Sequence, residues 1–342
     1  MRTFESVPTA FRNAVLFSLL ALSWGGSFVA IEIGLEHVPP LLFAGLRYAL
    51  AGAIVLGYAA VVTDRFRPTG RDEWLAVLVA GVFVIALYHG LLYLGEQYVS
   101  GAVAATVVST SPILTVAFAG TILPSERLSA VSIVGFVLGL VGVGLVVQPS
   151  QSALTSEVTV GVGLVFASAA AFALGSVLVR PIDAGLPIET LQAWSMLIGA
   201  GVLLGWALVS GESVAAIELT ATAVLSYGYL TIVSGVVAFL LYFELLDRSG
   251  AIQVNLVGYA EPVVAIGVSW LLLGSVVDAT TVLGLLTIAA GFGLIKRESI
   301  RALAGSVLTS GDGGTFGDSS HTAARTDGGQ SAGDERVQPC DD

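Results

Sequence analysis

Apolar positions along this chain neither alternate nor fall into narrow stripes. They run on, in stretches of about 20 residues separated by short polar breaks, from residue 13 to residue 295. A helix of that length matches the hydrocarbon thickness of a bilayer. The pattern predicts ten helices, at about 13–33, 40–62, 74–95, 101–123, 129–148, 159–179, 190–210, 221–243, 250–273 and 279–295. The breaks carry turn chemistry: Pro39-Pro40, Arg67-Pro68-Thr69-Gly70, Gln148-Pro149-Ser150, Gly185-Leu186-Pro187 and Ser210-Gly211.

One stretch departs from a plain anchor. Between Ser100 and Glu126 the apolar run carries Thr106, Ser109, Thr110 and Ser111, and then Pro112 at its middle. The stretch from Ser249 to Ser275 repeats its Ser-Gly-Ala opening and again places a proline, Pro262, at the middle. The echo extends over both halves at a spacing of about 149 residues. Gly26-Ser27 matches Gly175-Ser176, Pro39 matches Pro187, and Leu92-Tyr93 matches Leu241-Tyr242. Five helices per half is an odd number, so the second half enters the membrane from the opposite face. The fold class expected is therefore all-α integral membrane, with ten transmembrane helices as two inverted five-helix repeats. Such repeats are a construction of secondary transporters, with substrate bound between the halves near the midplane.

Charge placement tests the helix count. Arg2, Arg12, Arg65, Arg67, Arg71, Arg127, Arg180, Arg248, Lys296, Arg297 and Arg301 fall on one side of the predicted bundle. The opposite loops hold Glu36, Glu96, Glu157, Glu212, Glu218 and Asp278 instead. The positive-inside rule then puts both termini in the cytoplasm. Composition agrees, with 55% hydrophobic and only 11% charged residues. The single cysteine, Cys340, excludes a disulfide framework. The organisation expected is a cytoplasmic N-terminus at 1–12, a first repeat at 13–148, a second at 159–295, and a disordered acidic cytoplasmic tail at 296–342.

The segment Trp24–Gly52 (WGGSFVAIEIGLEHVPPLLFAGLRYALAG) resembles the drug/metabolite transporter superfamily, specifically its EamA-type ten-helix members. So do GEQYVSGAVAATVVSTSPILTVAFAG, the Ser125–Ser129 turn and Glu261-Pro262-Val263. Glu32 departs from the family, standing where members often carry a basic residue, as does Gly274-Ser275, where Gly-Glu is usual. The resemblance implies export, with an amino acid or related metabolite as cargo.

Ionisable residues at membrane depth are the candidate chemistry, because a charge in hydrocarbon must face a cavity, pair or take a proton. Glu261, expected near the middle of the ninth helix, reads as a proton carrier or a substrate-amine anchor, or else as a protonated structural acid. Arg47 lies about 10 Å into the second helix. It either snorkels to the surface, pairs with Glu32 or Glu261, or clamps a substrate carboxylate. His89 reads as a proton relay or as a hydrogen-bonded packing residue. Gln253, Asn255 and Tyr259 approach Glu261 along the ninth helix, Asn255 and Tyr259 sharing a face at a spacing of four.

Trp24 and Ser27 flank a glycine pair in the middle of the first helix. Ser111 stands before Pro112 where Glu261 stands before Pro262, so a hydroxyl wall is expected to face a titratable one across the cavity. Gly135 and Gly139, and Gly201 and Gly205, have the small-xxx-small spacing of packed helices.

No phosphate-cradling loop, hydrolase elbow or zinc-protease motif is present. No catalytic residue, metal or cofactor is expected, and the chain does not read as an enzyme. The function expected is secondary active transport, in the direction of export, of a small polar metabolite across the plasma membrane by alternating access. The alternative is a non-transporting sensor or scaffold that keeps the fold. The partners expected are a small-molecule substrate and the lipid bilayer, with a homodimer allowed and no nucleic acid.

Overall fold

The computed structural model describes residues 9–124, 129–147, 157–182, 184–295 and 297, without the side chains of residues 9, 10, 147, 250–253 and 255. The Glu126-Arg127 turn, Pro149, Lys296 and the acidic tail lie outside the described residues. All described residues belong to one compact unit, Met1–Ser299.

Every described element is helical. The helices are α1 (Thr9–Leu35), α2 (Pro40–Val62), α3 (Arg71–Gly95), α4 (Gly101–Ile122), α5 (Ala130–Val147), α6 (Glu157–Val179) and α7 (Ile188–Val209). They continue with α8 (Ala221–Gly228, Tyr229–Val237 and Ala238–Asn255), α9 (Val257–Leu273) and α10 (Ala279–Ile295). Seven helices are at least 18 residues long and apolar enough to cross a membrane, and α5, α9 and α10 are shorter apolar helices. Leu208, Val209 and Leu271 are among the exposed apolar side chains, as lipid-facing positions require.

The ends are set by local chemistry. Ser100 caps α4, its Oγ accepting from the Val103 amide, and Thr220 caps α8 in the same way through Ala223. Pro39 and Pro187 precede the equivalent helices α2 and α7, where a missing amide hydrogen does no harm. Glu212 reaches from the far repeat to accept from the Leu41 and Leu42 amides at 3.0 and 2.8 Å. A carboxylate there satisfies orphan donors and complements the helix dipole. Gly274 ends α9 in the left-handed region, at φ 66°.

The inverted repeat governs the packing. With α1–α5 superposed in order on α6–α10, contacts between the halves occur in equivalent sets. The helix α2 packs on α7, and α5 on α10. The contact of α1 with α9 has its counterpart in that of α6 with α4, and the contact of α3 with α7 in that of α8 with α2. The α5–α10 seam is the closest. A Cβ built on Gly142 would sit 2.7 Å from the Gly284 carbonyl oxygen, and one on Gly284 2.7 Å from that of Gly142. Gly135 and Gly291 approach in the same reciprocal way at 2.6 Å. Small residues let two backbones touch where lipid supplies no hydrophobic drive.

Three expectations change. The backbone stays helical through Ala238–Asn255, where a turn at about 244–249 was expected. Arg248 Nε donates to Glu244 Oε1 at 2.6 Å, an i,i+4 pair that supports helix through this polar stretch. Gly201 and Gly205 meet nothing within 4 Å and face open space, so only Gly135 and Gly139 of the two pairs are packing positions. The third change was not legible in the hydrophobic pattern: α3 and α8 each contain a π-helical segment, Ala80–Leu87 and Tyr229–Val237. Their starts are 149 residues apart, the spacing of the repeat. Such segments are rare and are frequently found at functional sites.

Candidate functional site

Both prolines of the echoed stretches mark broken helices, but in different ways. In α4 the helix is interrupted at Ser109-Thr110, and Pro112 sits in the first turn of the second part. In the second half the interruption is at Leu256, and Pro262 lies inside α9. The four hydroxyls of α4 are buried and turn back on their own helix. Thr106 donates to Ala102 O, Ser109 to Thr106 O, Thr110 to Val107 O and Ser111 to Val108 O, at 2.6–2.9 Å. They satisfy carbonyls around the break rather than forming the expected hydroxyl wall.

The break at Leu256 also moves Glu261. It stands in the second turn of α9 instead of mid-helix, and the break at Leu256 separates Asn255 from Tyr259, which therefore share no helical face. The Asn255 side chain lies outside the described residues. The Tyr259 ring packs on Phe292 of α10 at 4.4 Å, with Ile113 and Ile288, away from the groups around Arg47. Glu261 is half-buried and makes no hydrogen bond or ion pair with any described residue. Its backbone faces Gly25 of α1, and its carboxylate interacts electrostatically with Tyr88 of α3.

Arg47 is buried, at 3% exposure, so it does not snorkel, and it pairs with neither Glu32 nor Glu261. Its guanidinium lies 4.3 Å from the Tyr48 ring centroid and 5.8 Å from that of Tyr93. Nη2 donates to Tyr48 Oη at 2.6 Å, while Nη1 has no partner among the described residues. Tyr48 Oη is 2.5 Å from His89 Nε2, and His89 Nδ1 is 3.0 Å from the Ile85 carbonyl. The carbonyl only accepts, so Nδ1 carries a proton. The chain Arg47–Tyr48–His89–Ile85 links α2 to α3. Ile85 belongs to the first π segment. At the equivalent place in the second, Ser234 O accepts from Trp24 Nε1 at 3.2 Å. Trp24 otherwise packs on Phe239 and Tyr242, and Ser27 Oγ donates to Trp24 O at 2.5 Å.

Glu96 was expected in a water-facing loop. It caps the end of α3 and is 5% exposed, and neither carboxylate oxygen has a hydrogen-bond partner among the described residues. Burial pushes its carboxyl well above the usual carboxylate range; Glu32 adds to this and Arg47 opposes it. Glu32 itself accepts from the Gly101 amide at 2.8 Å and so belongs to the start of α4. Tyr93, one turn before Glu96, interacts with both Arg47 and Glu96; its Oη lies toward the Arg47 guanidinium, outside standard hydrogen-bond geometry with any described residue. Phe43 meets the Tyr93 ring edge-on at 5.6 Å and forms one wall of an apolar pocket of about 220 Å³ with Val38, Leu46 and Tyr227.

Tyr48, Tyr88, Tyr93 and Glu96 thus join the cluster without having been singled out from the sequence. The available signal was spacing on α3: His89, Tyr93 and Glu96 are four and three apart, a polar line down one helix face.

The cluster has the makings of a ligand site. It holds a buried guanidinium beside the Tyr48 and Tyr93 rings and a buried carboxyl, each with free hydrogen-bonding capacity, and Glu261 interacts electrostatically with Tyr88. Among the described residues no group of His, Cys, Asp and Glu is placed to hold a metal ion.

Comparison with known proteins places this arrangement. Residues 12–148 and 159–297 each match the EamA-like transporter family. A transporter of Bacillus subtilis, YvbV, is 27% identical over 84% of this chain and 92% of its own length. An inner membrane transporter of Escherichia coli, YedA, is 28% identical over 79% of this chain and 89% of its own. A Salmonella typhimurium protein named a probable amino-acid metabolite efflux pump is 27% identical over 85% of this chain and 98% of its own. A crystal structure 21% identical to this chain covers 85% of it and 99% of its own chain with a TM-score of 0.60, a likeness of fold.

Proposed function

Because the chain belongs to the EamA-like transporter family, we propose that it is a secondary active transporter exporting a small polar metabolite, an amino acid or related compound, across the plasma membrane by alternating access. In this reading residues 13–148 and 159–295 are the two rocking halves, and both termini are cytoplasmic. The segregation of loop contacts supports the orientation. Arg12 meets Glu244, and Arg65 donates to Gly185 O, so the basic ends gather together. At the opposite end His37 lies 3.5 Å from Glu218, and Glu212 caps α2.

One observation carries the transport reading. Arg47 and Glu96 are buried ionisable groups that keep polar atoms without a hydrogen-bond partner among the described residues, Nη1 of Arg47 and both carboxylate oxygens of Glu96. A buried polar group without a partner is costly, and a charged one more so. A bundle that served only as a scaffold has no reason to keep such unsatisfied groups. A similar protein, the probable amino-acid metabolite efflux pump of Salmonella typhimurium, supports the cargo class.

The test is flux in proteoliposomes against a panel of radiolabelled metabolites, with and without a pH gradient. Glu261→Gln is expected to abolish gradient-driven accumulation while the protein still inserts and elutes as a single species. Accumulation at the wild-type rate in that variant sinks the coupling role of Glu261, and absence of flux for every metabolite sinks the transport reading.

A further inference from the structure

We propose that the groove between α2 and α7 at the basic end of the bundle is a phospholipid site, in which Arg67 takes the headgroup phosphate and the groove takes one hydrocarbon chain. The groove has a volume of about 420 Å³. It is walled by Ala53, Gly57 and Ala60 of α2, by Trp194 and Leu197 of α7, and by Phe66 of the connection after α2. Arg67 is the charged residue that lines it. No residue of the cluster around Arg47 and Glu96 takes part, so a lipid here is independent of the transported cargo.

The groove faces lipid. Ala53, Gly57 and Ala60 are exposed, and so are their neighbours Ile54, Tyr58 and Val61 on α2. Gly57 leaves the floor open, because a Cβ there would meet nothing within 4 Å. From Ala53 to Val62, where α2 ends, is about 14 Å along the helix axis. One leaflet holds roughly 15 Å of hydrocarbon, so the groove runs most of the way to the midplane. Water is absent at that depth, and a hydrocarbon chain is what fills an apolar groove there.

Arg67 stands at the level of the phosphates. Trp74, at the start of α3, meets Trp194 edge-on at 5.3 Å, and tryptophans concentrate at the membrane–water interface. The two arginines of this connection differ. Arg65 is spent within the protein, donating to Glu73 and, at 3.0 Å, to Gly185 O. Arg67 is exposed, lies 5.2 Å from the Phe66 ring centroid, and forms no ion pair with any described carboxylate. A guanidinium matches a phosphate through two parallel N–H···O bonds. The wall that carries it is fixed from the other half of the chain. Thr190 Oγ1 donates to Arg65 O at 2.8 Å, and Trp194 Nε1 to Phe66 O at 3.0 Å. A wall already held in place spares the lipid the cost of ordering it.

The experiment is photolabelling of the purified full chain in neutral detergent. The probe is a phosphatidylglycerol with a diazirine midway along one acyl chain, and the labelled peptides are mapped by mass spectrometry. Labelling is expected on residues 53–60 and 194–197, well above that on the exposed Leu271 and Leu272 of α9. Dioleoylphosphatidylglycerol should suppress it. Dioleoylglycerol, which lacks the phosphate, and glycerol 3-phosphate, which lacks the chains, should each be at least tenfold weaker. Gly57→Leu fills the groove and Arg67→Gln removes the cation, and each should cut labelling at least fivefold. Arg67→Lys should keep most of it. Gly201→Leu, on an open face of α7, should leave it unchanged. Melting temperatures of the variants are the folding control.

Labelling of α9 equal to that of the groove overturns the proposal, as does wild-type labelling in folded Gly57→Leu or folded Arg67→Gln. Equal suppression by dioleoylglycerol removes the phosphate from the site and overturns it too. Equal suppression by glycerol 3-phosphate makes Arg67 a site for soluble phosphate esters and overturns the lipid. The competitor series in the wild type decides the matter by itself if a variant fails to fold.

Discussion

At the scale of single residues, the chain keeps polar groups in two different conditions. The hydroxyls of α4 and the ring nitrogens of His89 are satisfied locally. Arg47, Tyr93 and Glu96 keep buried atoms that no described residue satisfies. Glu96 makes this measurable. Its carboxyl lies well above the ordinary value of about 4.3 because it is buried, with Glu32 as the second cause and Arg47 working against both. The native protein then holds a proton that the unfolded chain has released. Stability is greatest below the unfolded value and falls as pH rises toward the folded one. Glu96→Gln removes this contribution. Melting temperatures in detergent are expected to show the variant gaining on the wild type as pH rises from 5 to 8. A gap between them that does not change with pH would show that Glu96 is solvated or paired in solution.

Elements are governed by backbone approach. The α5–α10 seam depends on glycines facing glycines, so Gly142→Val would drive a branched side chain into the Gly284 carbonyl. Overpacking of this kind typically costs about 1–3 kcal/mol, and more where the neighbour is backbone. Gly142→Val is expected to lower the melting temperature sharply or to abolish recovery of the folded protein. Gly201→Val faces open space and should leave both unchanged. Size-exclusion recovery and thermal melts of the two variants, side by side, check the contrast. Equal losses in both would show that glycine content matters and the seam does not. The same reasoning limits what spacing alone conveys: Gly135/Gly139 and Gly201/Gly205 have the same pattern, and only the packing partner separates them.

The whole molecule is organised by its two-fold relation. Contacts between α2 and α7 and between α5 and α10 join the halves, and the π segments of α3 and α8 occupy equivalent places. If the basic ends face the cytoplasm, a cysteine placed at Tyr98 or Glu218 reacts with an impermeant maleimide added outside intact cells. One placed at Arg67 should react only after permeabilisation. The natural Cys340 is replaced by serine in each case. The reverse pattern would invert the proposed orientation and with it the direction assigned to the proposed export.

Much of this architecture was present in the order of residues. Uninterrupted apolar runs determined that the chain crosses a membrane, because backbone polar groups in lipid must be satisfied within a helix. The spacing of about 149 residues, with an odd helix number per half, determined the inverted repeat. Glu261, Arg47 and His89 stood out as charges or potential charges at membrane depth. Other features were decided only by the tertiary structure. A helix break at Leu256, two π segments, and the retreat of four hydroxyls onto their own backbone all depend on which carbonyls the packed bundle leaves open. Glu96 was read as a loop acid because depth was counted along the sequence, whereas the end of α3 packs closely on α6 at Gly95. Hydrophobicity along a chain reports how much of it leaves water. Which polar atoms remain without partners is settled by where distant helices meet, and that is where the candidate site of this protein lies.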